Sequence, residues 1–307
     1  MPKLSQKHRK MLIIGGSGFI GYHLAKLALK KGWKIDSISR KFPKKNRKLS
    51  KVKYLICDIT KLKNIKKSIK KNYNFVVNLG GDVDHKNKSK TYQSHYIGCK
   101  NISNFFLDRK IATFVQIGSS SEYAKSKSPH KESFKCNPKS YYGKSKNLAS
   151  NYLINLKKNK NFPIIILRLY QTFGSNQDLN RLIPFVIKSC ISKKKFPCSD
   201  GNQYRDFLIV DQVVKAILKC YRNTKAYGQI INIGSGKARK VKDVIETIKS
   251  KINKGEPQYG MIKLRSEESL KAYPNIQKAK KLLNWEPCGD FKKNLHKTIA
   301  SYKKNKK

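Results

Sequence analysis

Residues 11 to 21 read MLIIGGSGFIG, a short apolar strand running into Gly15, Gly18 and Gly21 and then into a helical stretch from Phe19 to about Lys30. A strand that ends in glycines permits a tight turn, lets backbone approach a pyrophosphate with no Cβ in the way, and packs the following helix closely on the sheet. The helix offers its unpaired N–H groups and positive dipole end to the anion. Gly15, Gly18, Phe19, Ile20 and Gly21 are therefore expected to form a phosphate cradle.

The stretches that follow alternate between period 2 and period 3.6. Strands are expected at Lys10 to Ile14, Lys34 to Ile38, Lys53 to Cys57, Phe75 to Asn78, Thr113 to Gly118 and Pro163 to Leu169, with helices near 19–30, 62–70, 91–108 and 142–159. Such alternation implies an α/β fold with a doubly wound parallel sheet, because right-handed crossovers place helices on both faces. After Leu169 the pattern loosens: helices near 179–193, 211–222 and 240–252 mix with strands at Phe207 to Val210 and Gln229 to Ile233. The expected division is a dinucleotide-binding domain over 10–170, with a return segment near 206–233, and a smaller α/β substrate domain over 171–205 and 234–307. The Lys-rich ends, 3–10 and 303–307, read as solvated tails.

A chain of 307 residues is long enough to bury a substantial core. Its formal charge of +51 raises the question of nucleic acid, but only ten of its 69 basic residues are arginine and the lysines are spread through every segment. Nucleic-acid faces concentrate arginine for bidentate contacts, so a solvated lysine surface is expected, with no specific nucleic-acid partner. The seven cysteines are odd in number with no C-x-x-C, and the six histidines form no ligand-spaced cluster, so neither disulfides nor a metal site is expected. The apolar run at the N-terminus stops at Ile14, too short for a signal-peptide core, and no run approaches membrane-spanning length. A cytoplasmic protein without a membrane partner follows as the expectation.

The candidate chemistry lies at the end of the fifth strand and the start of the next helix. Ile117-Gly118-Ser119-Ser120-Ser121-Glu122-Tyr123 is followed by Ser140-Tyr141-Tyr142-Gly143-Lys144-Ser145-Lys146. Tyr142 and Lys146 are four residues apart, so on a helix they share a face. A phenol becomes a competent acid–base group when a nearby cation stabilises its ionised form. Tyr142 is thus the candidate acid–base residue and Ser119 the candidate hydrogen-bond donor to the same substrate oxygen.

Together these motifs resemble the extended short-chain dehydrogenase/reductases, the NAD-dependent epimerase/dehydratase family that acts on nucleotide sugars. The resemblance runs from Met11 to about Pro287 through G-G-S-G-F-I-G at 15–21, C-D-I at 57–59, Y-G-K-S-K at 142–146, L-R-L-Y-Q-T-F-G at 167–174, R-D-F-L-I-V-D at 205–211, N-I-G-S-G at 232–236 and L-L-N-W-E-P at 282–287. It implies a Rossmann-type domain binding NAD(P), with Asp58 and Ile59 near the adenine, Gly80 and Gly81 toward the ribose and nicotinamide, and Lys146 on the nicotinamide ribose. It also implies that Gln171, Arg205 and Arg265 hold a nucleotide-sugar diphosphate, and that the protein forms a homodimer through the helices near 91–108 and 142–159.

Two departures from the family pattern refine the expectation. Where NAD-preferring relatives end the second strand in an acid, this chain has Ser39 and Arg40, with Asp36 three residues before Ser39. An acid repels a 2′-phosphate and an arginine pairs with it, so NADP(H) is favoured over NAD. Where 4,6-dehydratases carry an Asp-Glu pair, this chain has Ser120 and Ser121, which disfavours elimination. The expected activity is hydride transfer at C4 of a nucleotide-linked hexose, as a 4-epimerase or a 4-keto-deoxysugar reductase. The alternatives are a 4,6-dehydratase and a non-catalytic or RNA-binding member of the fold.

Overall fold

The computed structural model describes residues 9–82, 87–264 and 268–304. Seven parallel strands form the central sheet: β1 (Lys10–Ile14), β2 (Lys34–Ser39), β3 (Val52–Ile56), β4 (Phe75–Asn78), β5 (Thr113–Ser119), β6 (Ile164–Leu169) and β7 (Gln229–Ile233). Their spatial order is β7-β6-β5-β4-β1-β2-β3. The order reverses between β1 and β4, and in an open α/β sheet that reversal leaves a crevice beyond the carboxyl ends of the strands where ligands bind. The fold is a Rossmann-like doubly wound sheet, as the strand–helix alternation implied.

Both sheet faces are dry, which is why the strands read as apolar runs instead of alternating patterns. On one face Met11, Ile13, Val77, Ile117 and Leu167 pack with Leu24 of α1 (Phe19–Lys30) and with Val213 and Ile217 of a helix over Val210–Lys219. The opposite face carries Leu12, Ile14, Val76, Phe114 and Ile166, covered by Ile65 of α2 (Leu62–Ser68) and by Ile102, Phe106 and Leu153. Burying each such side chain contributes about 1.5 to 3 kcal/mol.

The single helix expected near 91–108 is instead α3 (Lys88–Tyr92), a π-helical turn over Gln93–Ile97, and α4 (Gly98–Leu107). A wide turn of this kind is a change in backbone hydrogen bonding, i→i+5 in place of i→i+4, which residue type alone does not announce. Next come α5 (Tyr141–Lys160), α6 (Leu182–Ile191) and α7, the Val210–Lys219 helix already noted. The C-terminal part supplies α8 (Val241–Ile252), α9 (Gln277–Leu283) and α10 (Phe291–Lys304). A third apolar cluster, including Ile183, Val186, Val244, Ile248, Leu295 and Ile299, joins α6, α8 and α10 beyond the sheet. Of the expected tails, 1–8 and 305–307 lie outside the described residues, whereas Lys10 begins β1 opposite Lys34 and Lys303 and Lys304 end α10.

The turn from β1 to α1 shows why glycine stands where it does. Gly15 has φ +77°, and a Cβ there would lie 2.9 Å from the Leu79 carbonyl carbon and oxygen at the end of β4. At Gly21 a Cβ would meet the Gly16 Cα at 2.5 Å and the Gly15 oxygen at 2.6 Å. The colliding atoms are backbone, so no rotamer change relieves them. Gly21→Ala should therefore lower the unfolding free energy by about 1 to 3 kcal/mol, the usual cost of overpacking, and weaken dinucleotide binding. Chemical denaturation and cofactor titration check this; unchanged values of both would contradict the packing argument.

Candidate active site

The cradle expected from the sequence gathers at the β1–β4 crevice. Gly18 stands at the N-cap of α1, and among the described residues no side chain caps that terminus and no acid occupies its first turn. The exposed end of the helix dipole is thereby left for an anion. The Ser39 hydroxyl accepts from Ser17 N–H at 3.3 Å and donates to the Ile38 carbonyl at 2.8 Å, tying the glycine turn to the end of β2. Across the crevice, buried Asn78 accepts from the Gly80 N–H at 3.0 Å and fixes the Gly80-Gly81 turn. These features fit a dinucleotide diphosphate: backbone donors on one wall, and on both walls backbone close enough that a side chain would fill the space.

Ser39 and Arg40 stand at the end of β2, as counted from the sequence. Asp36 lies within the strand opposite Leu12, where it accepts from the Tyr73 hydroxyl at 2.8 Å and pairs with Lys71 at 3.4 Å. Arg40 is half exposed, with one terminal nitrogen 3.3 Å from the buried Asp82 carboxylate, which also takes Lys90 Nζ at 3.1 Å. Asp58 Oδ1 accepts from the backbone and hydroxyl of Thr60 at 3.0 and 2.8 Å, closing a tight turn. Ile59 beside it packs against Gly80 and Gly98 and walls the crevice on the β4 side.

Ser119 ends β5 and Tyr142 and Lys146 occupy the first turns of α5. Ser140 caps that helix, its hydroxyl accepting from Gly143 N–H at 3.1 Å. Gly143 rests on the preceding segment so closely that a Cβ would lie 2.6 Å from the Ser121 carbonyl oxygen, which is the physical reason for glycine between the tyrosine and the lysine. Lys146 is buried; its ammonium donates to the Ile117 carbonyl at 2.7 Å and lies 5.9 Å from the centre of the Tyr142 ring. Gln116 Nε2 donates to the same carbonyl at 3.0 Å while Gln116 Oε1 accepts from Asn78 Nδ2 at 2.8 Å, so one buried chain of hydrogen bonds runs beneath the glycine turn and the lysine.

The expected diphosphate residues are placed less simply. Gln171 is exposed just after β6, its N–H bonded to the Asp206 carbonyl at 3.0 Å, which puts it beside the residue following Arg205. The Arg205 guanidinium reaches Glu268 at 2.9 Å and the Ser269 carbonyl at 2.8 Å. Arg265 lies outside the described residues. Asp206 is fully buried, and that burial pushes its carboxyl up to about 6, while N–H groups of Ser235 and Lys237 at 2.7 and 3.2 Å pull the other way.

Three residues of the site went unread in the sequence. His95, on the π-helical turn, packs its ring edge-on to Tyr142 with centroids 5.0 Å apart, lies against Gly81, and places Nε2 3.0 Å from the Asp82 carbonyl. Nothing in a lone histidine among lysines singles it out. Glu122 and Arg168 form an ion pair at 2.8 Å, both essentially inaccessible to solvent. Burial presses Arg168 toward neutrality, and the Glu122 carboxylate, aided by the neighbouring Tyr123 and Cys136, more than offsets this, so the guanidinium stays charged. The spacing Ser119-x-x-Glu122 is that of a capping box, and the structure forms one; that pattern was the available signal.

Comparison with known proteins agrees with this geometry. The model of the NAD dependent epimerase/dehydratase family matches residues 11–234. An uncharacterized UDP-glucose epimerase of Bacillus subtilis is 25% identical, the alignment covering 95% of this chain and 97% of the relative. CDP-abequose synthase of Salmonella typhimurium is also 25% identical, over 94% and 97% of the two chains. The UDP-glucuronic acid 4-epimerase of Bacillus cereus, solved with UDP-glucuronic acid and NAD, superposes with a TM-score of 0.87 at 22% identity, covering 96% of this chain and 99% of that one. With its glycine turn, its serine at the end of β5 and its tyrosine–lysine helix, the chain belongs to the NAD-dependent epimerase/dehydratase family.

Proposed function

We propose that this protein is an NAD(P)-dependent nucleotide-sugar oxidoreductase acting at C4 of the hexose, as an NDP-sugar 4-epimerase or an NDP-4-keto-deoxysugar reductase. The observation that carries the reading is the placement of Ser119 and the Tyr142–Lys146 pair on adjoining elements at the mouth of the glycine cradle. In this reading the Ser119 hydroxyl hydrogen-bonds the C4 oxygen and Tyr142 moves its proton. Lys146, held by the Ile117 carbonyl, stabilises negative charge as the phenol gives up its proton and reaches the ribose of the cofactor. The dinucleotide, when bound, takes or supplies the C4 hydride. Gln171, Arg205 and Arg265 would hold the diphosphate, Arg205 by sharing or releasing Glu268. Elimination is disfavoured, since Ser120 and Ser121 offer no carboxylate and Glu122 is committed to Arg168, Ser150 and the Ser119 backbone.

The partner in this reading is a nucleotide-diphosphate sugar lying between the sheet and the α6–α8–α10 layer. Specific nucleic-acid binding is not part of it, given the dispersed lysines. No helix among the described residues is long and apolar enough to cross a membrane, which accords with a cytoplasmic enzyme. Exposed Tyr92, Tyr141 and Leu148 on α3 and α5 give a homodimer an apolar contact there.

NADP(H) is favoured because Arg40 directly follows β2 with its side chain still half exposed, while Asp36 is engaged within the strand. Charge-assisted hydrogen bonds contribute about 1.5 to 3 kcal/mol, so NADPH should bind roughly tenfold to a hundredfold more tightly than NADH at low salt. Titration of both cofactors should show Arg40→Ala losing most of that preference with little change for NADH. Equal affinities in the unaltered protein would reject the role.

Tyr142→Phe should keep cofactor affinity and lower turnover of nucleotide sugars by about a hundredfold or more, the scale of lost acid–base catalysis. Steady-state kinetics on UDP-, CDP- and dTDP-hexoses test it. Activity within a few-fold of the parent would sink the assignment.

A further inference from the structure

The Glu122 carboxylate lies in a one-turn 3-10 segment, Ser120–Tyr123, directly after β5. Its Oε1 accepts from the Ser119 N–H at 2.8 Å; its Oε2 accepts from the Ser150 hydroxyl at 2.8 Å and from Arg168 Nε and a terminal nitrogen at 2.9 and 2.8 Å. A carboxylate offers about four acceptor positions, and this one meets four donors, one on Oε1 and three crowded on Oε2. They come from three elements: the end of β5, the middle of α5, and β6. Space for the carboxylate is provided by Gly118, where a Cβ would lie 2.6 Å from Oε1.

Ser150 stands eight residues after Tyr142 and four after Lys146, on the same side of α5. The helix bearing the tyrosine is therefore tied to the strand bearing the serine at two points, one on either side of Gly118: Lys146 to the Ile117 carbonyl, and Ser150 through Glu122 to the Ser119 N–H. Sliding α5 along β5 would break charge-assisted bonds in a dry interior, where they are strongest. We infer that Glu122 is a positioning residue: acting through the Ser119 backbone and through Ser150, it sets the separation of the reactive hydroxyl from the Tyr142 phenol. This rests on the roles given to Ser119 and Tyr142 above. A buried ion pair is not needed for stability, because apolar residues of similar volume commonly serve as well. Its distinguishing feature is that one oxygen is spent on the backbone of the candidate serine itself.

The test uses Ser150→Ala, which removes one of the four donors and leaves the ion pair intact, and the double variant Glu122→Gln/Arg168→Met, which removes both charges together. The reaction is followed with UDP-, CDP- and dTDP-hexoses and saturating cofactor. Displacements near 1 Å cost about a hundredfold in turnover, so loosening one tie should lower kcat by about tenfold and the double variant should lower it further. KM and cofactor affinity should stay within about twofold, since the groups that bind are untouched. In a Ser119→Ala background the Ser150 change should cost less than about twofold, because the group being aligned is gone. Equal losses in both backgrounds, losses confined to KM, or an unimpaired Ser150→Ala enzyme would each overturn the inference. An unaltered chain inactive on the whole panel would instead reject the parent reading, and this one with it.

Discussion

Backbone meeting backbone with no side chain between is the constraint on which this molecule is built. It occurs where α1 leaves β1, with Gly21 against Gly16, and again where α5 settles on the segment after β5, with Gly143 against Ser121. The first contact brings a bare helix terminus to the crevice between β1 and β4; the second brings the tyrosine–lysine face to the serine. A methyl group at either contact separates elements whose spacing defines the site. The dry, interdigitated sheet faces then hold that spacing, because close-packed interiors transmit displacement instead of absorbing it.

Charge is arranged on two scales. Across the surface, the excess of lysine gives a formal charge of +51, a field that draws anionic metabolites without choosing among them. Nearer the core, three acids are matched to cations, Glu122 to Arg168, Asp82 to Arg40 and Lys90, and half-buried Asp178 to Arg47 and Lys44, while buried Asp206 is held by N–H groups. In a chain with only 18 acidic residues, those pairings fall at the serine, at the mouth of the cofactor crevice and on the segment after β6. Removing one partner of a fully buried pair costs about 3 to 5 kcal/mol, because a charge is left without compensation.

Much of the fold was legible because its signals are local. The apolar run 11–14 before three glycines, the recurrence of strand and helix, and the i, i+4 pairing of Tyr142 with Lys146 each follow from the geometry of a single element. What went unread depends on distant partners. His95 is brought to Tyr142 by a wide helical turn whose backbone bonding no residue type announces. Arg168 sits in an apolar strand as if misplaced until Glu122, from another strand's end, is set beside it. Arg205 read as a diphosphate ligand from its motif alone; its bond to Glu268 joins residues 63 apart in the chain. α9 and α10 escaped notice because lysines fill their exposed faces and leave only narrow apolar stripes.

The central claim is that hydrogen moves at C4 of a nucleotide-linked hexose while Tyr142 handles the proton at the attached oxygen. Its most direct test is a nucleotide hexose deuterated at C4, incubated with the purified chain and oxidised cofactor and followed by mass spectrometry and NMR. The account predicts that deuterium leaves C4 for the cofactor, returning to C4 of the epimer in a 4-epimerase or staying on the reduced cofactor in a reductase run backward. Exchange at C5 with the C4 label retained would contradict it, as would turnover in which the cofactor never carries the label.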